Sequence, residues 1–156
     1  MAITVNDVKF TEILTSKSND IYTFEVPAVI EVTYTKKDKQ YKLILSLNKG
    51  FRTDGASVPA LFTWFLPKWD KKNMVYNCGA IVHDCLYTTK GISGLFTREE
   101  CDDFIRCIWR ISGISRFRAG VGDVCLFLFG GGDKHWGIDN LDNVKNKLMS
   151  FDVIQI

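Results

Sequence analysis

Two hydrophobic periods run along this chain, and one gives way to the other near residue 60. Residues 21–26 and 29–34 are rich in β-branched and aromatic side chains, and Lys36-Lys37-Asp38-Lys39 is a polar turn. Residues 40–47 then alternate through Tyr41, Leu43, Leu45 and Leu47, the period of two that marks a half-buried strand. Pro27 falls where a ladder is interrupted or an edge is exposed, and residues 10–15 are read as a further strand. From residue 72 the period lengthens. Residues 72–87 place Val75, Cys78, Ile81, Val82 and Cys85 on one helical face, and Gly91 to Gly94 then break the chain. Thr97-Arg98-Glu99-Glu100 is a capping box: the Thr97 hydroxyl accepts a backbone N–H, and Glu100 reaches back to that of Thr97. The helix it opens carries Cys101, Phe104, Ile105, Ile108 and Ile111 inward and ends at Gly113. A third helix spans 115–129 and stops at Gly130-Gly131-Gly132, and a short last helix is expected over 139–149. Strands followed by helices predict an α+β fold. A small N-terminal antiparallel sheet (1–59) packs on a C-terminal bundle of three to four helices (70–149), in a single domain over 1–156.

Composition narrows the function classes. A chain of 156 residues with 46% hydrophobic and 24% charged residues is an ordinary globular domain with one core. A net charge of +2, spread over scattered pairs such as Lys36-Lys37 and Lys71-Lys72, gives no footprint for nucleic acid or for an anionic membrane. No apolar run reaches the roughly 18–20 residues of a transmembrane span, and residues 1–10 lack the basic and apolar regions of a signal peptide. The five cysteines are odd in number, lack a C-x-x-C spacing and fall in predicted helices, where cysteine is a small buried hydrophobe.

Candidate chemistry lies in two polar blocks set in apolar surroundings. His83-Asp84-Cys85-Leu86-Tyr87 puts one of the chain's two histidines beside a carboxylate and one turn before a tyrosine. Arg98 and Asp102 follow on the next helix, one turn apart. The functional reading is a dyad in which Asp102 fixes the imidazole and His83 activates water or a hydroxyl. The alternative is a buried histidine satisfied by a neighbouring acid. Upstream, Gly50-Phe51-Arg52-Thr53-Asp54-Gly55-Ala56-Ser57-Val58-Pro59 reads first as a structural turn. Asp54 and Asp84 are candidate metal ligands, and their oxygen donors suit calcium or magnesium over zinc, the cofactor itself being left open. Ser57 is a candidate nucleophile or oxyanion donor, although no G-x-S-x-G elbow surrounds it. The aromatic group Phe62, Trp64, Phe65 and Trp69 reads as core or lid packing, or as an apolar groove for an acyl chain or a partner. Asp133-Lys134-His135-Trp136 after the three glycines reads as a surface loop without a Walker pattern.

Taken together, G-F-R-T-D-G-A-S-V-P, H-D-C-L-Y, R-E-E-C-D-D-F and the late F-G-G resemble a domain of unknown function common in bacteriophage and prophage genomes. The resemblance runs from about Val26 to Gly131 and implies a phage-encoded protein. It also implies a signature cluster of Thr53, Asp54, Ser57, His83, Asp84, Tyr87, Arg98 and Asp102, with Thr53, Tyr87 and Arg98 in supporting positions. More locally, H-D-C-L-Y followed by C-D-D-F-I-R-C is similar to the paired helices of secreted phospholipase A2. In that family a His–Asp pair spread over two helices activates water, and the aspartate after the histidine binds calcium. His83, Asp84, Tyr87 and Asp102 match residue by residue, while the glycine-rich calcium loop and the disulfide framework have no counterpart.

The expectation is thus a hydrolase-like His–Asp site in a phage protein of the host cytoplasm or the virion, acting on lipid or cell-envelope substrates, without nucleic acid as a partner. The rival is a non-catalytic tail or capsid component, or an accessory protein binding other phage proteins or a host factor. There the same cluster is a polar network locking the fold.

Overall fold

The computed structural model describes residues 1–129 and 135–156, with the side chains of all of these except 128 and 129. The glycine stop at 130–132, the F-G-G motif beyond Phe129, and Asp133-Lys134 lie outside the described residues. The chain divides into two compact units, Met1–Asp54 with Asp139–Ile156, and Gly55–Ile138. The fold is α+β, with strands in the first unit and helices in the second.

In the first unit, β1 (Ile3–Phe10), β4 (Ala28–Lys36), β5 (Lys39–Leu47) and β7 (Met149–Gln155) form an antiparallel sheet in the order β1-β4-β5-β7. A second sheet joins β2 (Thr15–Ser18), β3 (Ile21–Phe24) and β6 (Arg52–Thr53) in the order β2-β3-β6. The alternation read from the sequence is literal. Ala28, Ile30 and Val32 pair with Leu47, Leu45 and Leu43, and all six are buried. Tyr34 stacks on Tyr41 across the same ladder at 5.4 Å. The polar turn is a two-residue hairpin with both Lys37 and Asp38 at positive φ (50° and 62°), whose twist matches that of the strands it joins.

Two expectations are corrected in this unit, and one unassigned stretch proves to be a strand. Residues 11–14 are not a strand, so the segment 10–15 holds only the end of β1 and the start of β2. The chain before it, unassigned from the pattern, is β1, whose register with β4 shifts between Val5 and Asp7 and so breaks its alternation. Residues 139–149 are not a helix. The Asp139 carboxylate accepts the backbone N–H groups of Asn143, Val144 and Lys145 at 2.9–3.0 Å, and Asp142 and Lys147 are left-handed, so a series of turns replaces it. Asn143, buried within those turns, exchanges two hydrogen bonds with the Arg52 backbone (3.0 and 2.7 Å). The chain then enters β7, whose half-buried positions are Met149, Phe151 and Val153.

The second unit is built on an antiparallel pair, α1 (Met74–Thr88) and α3 (Arg98–Ile111), with α4 (Arg116–Phe129) packed on α3. Asn73 caps α1, accepting the Tyr76 N–H at 3.2 Å, and donates to the Ser112 carbonyl beyond the end of α3. The expected capping box of α3 is complete, with both Thr97–Glu100 bonds made at 3.0 and 3.2 Å. Between the two helices, α2 (Lys90–Gly94) is a single left-handed turn, in which Ile92 and Ser93 hold φ near 50°. Two single-face readings need amendment. α1 is buried all round from Tyr76 to Tyr87 except at Asp84, and Ile111 of α3 points to solvent. The backbones of α1 and α3 approach closely because Gly79 has no side chain: a Cβ there would lie 3.1–3.3 Å from Ile108 and the Trp109 ring. All five cysteines are buried and none is joined in a disulfide.

Candidate functional site

The helix pair decides where the site falls. Tyr76 stacks on Trp109 at 5.2 Å at one end of the pair, and the antiparallel register then sets His83 opposite Asp102. Nε2 of His83 lies 2.8 Å from Oδ1 of Asp102, and the Tyr87 hydroxyl donates to the same oxygen at 2.8 Å. A carboxylate can only accept, so Nε2 carries the proton of the neutral ring and Nδ1 is left with the lone pair. Nδ1 faces the other acid, 3.8 Å from Oδ1 of Asp84. His83 and Tyr87 are successive turns of one helix face, with ring centroids 4.3 Å apart.

Burial grades across the cluster. The side chain of His83 is 10% exposed, Asp102 17% and Asp84 34%, so Asp84 is the edge that meets solvent. Burial is the largest single influence on the His83 ring and works against its charge. The Asp102 and Asp84 carboxylates together outweigh it, so the pKa is raised above the ordinary 6.5. The Tyr87 hydroxyl is pushed well up, first by burial and then by its bond to Asp102, which keeps it a proton donor. Arg98, exposed at the start of α3, acts on Tyr87 in the opposite sense.

Of the residues proposed from the sequence, the structure brings together His83, Asp84, Tyr87 and Asp102, with Arg98 at their margin. Ser57 is exposed, in a segment whose neighbours Ala56 and Val58 are buried against Tyr76, Ala80, Ile105 and Trp109. That contact is at the far end of the pair, where Tyr76 is seven residues, about 10 Å of helix, from His83. The turn before it depends on Gly55 (φ +73°), where a Cβ would collide with the Lys68 carbonyl that the Ala56 N–H also engages. Thr53 is buried and Asp54 exposed at the end of the first unit. Among the described residues, no three His, Cys, Asp or Glu side chains converge to hold a metal. Sequence reasoning missed Trp136, dismissed as part of a surface loop. Its ring meets Tyr87 edge-on at 5.2 Å, and the neighbouring Gly137 N–H donates to the Tyr87 carbonyl at 2.8 Å. Only the aromatic character of the loop could have pointed to it.

Residues 28–122, from β4 into α4, match a family described as protein of unknown function, DUF1353. The chain belongs to the DUF1353 family. No curated protein and no solved structure matches it. The matched span of this DUF1353 chain takes in both helices that carry the His83 cluster. Among the described residues, no helix is long and apolar enough to cross a membrane.

Proposed function

We propose that this DUF1353 protein is a phage-encoded hydrolase that cleaves esters of lipid or of the cell envelope. The observation that carries the reading is the orientation of one ring. His83 gives its Nε2 proton to a carboxylate fixed by a second donor, and turns Nδ1 toward the most exposed acid of the cluster. In the reaction, Nδ1 takes a proton from water as its oxygen attacks the carbonyl carbon. Asp102 balances the imidazolium that forms. The same Nδ1 proton then goes to the departing alkoxide as the tetrahedral intermediate collapses. Asp84, beside Nδ1, positions the water and is the face through which substrate arrives. Ser57 and Asp54 are left out of this machinery, and no step requires a metal. The phage origin rests on the motif resemblance.

The burial of His83 supports a second reading, a non-catalytic virion or accessory protein in which the cluster joins α1 to α3. A panel of short- and long-chain esters and phospholipids, assayed with wild type and His83→Gln, separates the two. The hydrolase reading expects turnover that falls by at least roughly 100-fold in the variant, with folding retained. Absence of turnover across the panel, with a melting temperature that collapses in His83→Gln, assigns the cluster to structure.

A further inference from the structure

The helical unit carries an apolar surface that the His83 cluster does not use. Leu61 is 75% exposed, Trp64 73%, Phe117 66% and Phe127 84%, with Val124 half exposed. Phe117, Gly120, Val124 and Phe127 follow one another at helical spacing, which makes one solvent-facing stripe of α4. The stripe continues off the helix: Phe65 meets Phe117 edge-on at 5.6 Å, and the Trp64 ring lies tilted against that of Phe65. With large side chains of about 150–250 Å² each, the exposed apolar area is on the order of 500 Å², at the upper end of what a monomer shows.

The charges of the same two segments are one-sided. Lys68, Lys71, Lys72, Arg116 and Arg118 are exposed. The two acids there are occupied: Asp70 accepts the Lys72 N–H, and Asp123 pairs with Arg106 and Arg110 at 3.4 and 3.2 Å. The Phe65–Phe117 contact sets the start of α4 against the aromatic segment, and the Tyr76 hydroxyl donates to the Pro67 carbonyl at the end of that segment at 2.7 Å. A groove of about 330 Å³ is lined by Arg110, Ile114, Arg116, Ala119, Gly120 and Asp123, from the end of α3 to the first turns of α4. The net charge of +2 hides this concentration because the remaining acids lie elsewhere in the chain.

We infer that this face docks on an anionic phospholipid surface, with Leu61, Trp64, Phe117 and Phe127 entering the headgroup boundary and the five cations meeting lipid phosphates. Tryptophan and phenylalanine beside lysine and arginine are the composition of interfacial segments. Lysine, by contrast, is depleted from protein–protein interfaces, which disfavours a protein occupant. The inference is independent of whether His83 turns over a substrate.

Cosedimentation tests it, with vesicles of phosphatidylglycerol mixed into phosphatidylcholine and with phosphatidylcholine alone, at low salt. Wild type is expected to sediment with the mixed vesicles far more than with the neutral ones. Trp64→Ser with Phe117→Ser should bind roughly tenfold or more weakly, and Arg116→Glu with Arg118→Glu should lose the preference for anionic lipid. Because these side chains are exposed, melting temperatures should hold. If a variant unfolds, quenching of wild-type fluorescence by brominated lipid, absent in Trp64→Phe, decides instead. Failure to bind anionic vesicles overturns the inference, as does equal binding by a folded Trp64→Ser, Phe117→Ser protein. Self-association of wild type at micromolar concentration, lost in that double variant, assigns the face to a second copy and also overturns it.

Discussion

His83 shows how a buried ring can stay chargeable. Burial alone would suppress its proton, but two carboxylates on different sides of the ring restore it. The folded-state pKa therefore lies above the unfolded value of 6.5, and proton binding favours the native state. This contribution is fully present below pH 6.5 and is lost as pH rises through the raised folded value. Denaturant titrations over that interval should show wild-type stability falling as pH rises, with the fall absent in His83→Gln. A flat wild-type profile would mean that the carboxylates do not outweigh burial. The pairing of His83 with Asp102 was legible because both sit on amphipathic segments joined by a short glycine-containing connection. The contribution of Trp136 was not, since its loop has no periodicity and reaches Tyr87 only through tertiary packing.

At the scale of elements, local chemistry and tertiary context divide the account. The β4–β5 hairpin and the start of α3 follow from sequence alone, because alternation, turn and cap all point one way. Thr97→Ala removes one of the two reciprocal bonds of the capping box and should cost about 0.5–2 kcal/mol. Thermal melts would read this, and a loss recovered by Ser but not by Val would identify the hydroxyl as its source. Other elements were hidden. The bulge of β1 breaks its alternation, and the period-two pattern of β7 follows a stretch that imitates a helix until Asp139 takes its amides. α1 misled in a different way: its polar residues imply an exposed face, but they are buried because Asp70, Asp102 and Tyr87 give them partners.

At the scale of the molecule, the chain leaves its strand unit at Asp54, builds the helical unit, and returns at Asp139 to complete the first sheet with β7. A division into strands before residue 59 and helices after 70 misses that return. The DUF1353 match spans parts of both units, so the family is defined by more than its helix pair. The central claim nevertheless rests on one nitrogen, and the whole protein is favourable for observing it. It contains two histidines, His83 buried and His135 exposed, so ring signals of the intact chain separate readily. The most direct measurement is a pH titration of the imidazole nitrogens by long-range ¹H–¹⁵N NMR on wild type and Asp102→Asn. The account expects the neutral His83 ring to carry its proton on Nε2, with Nδ1 unprotonated, and to titrate above 6.5, with the midpoint moving down in Asp102→Asn. A neutral ring protonated on Nδ1, or a midpoint below 6.5 that Asp102→Asn leaves in place, would contradict it.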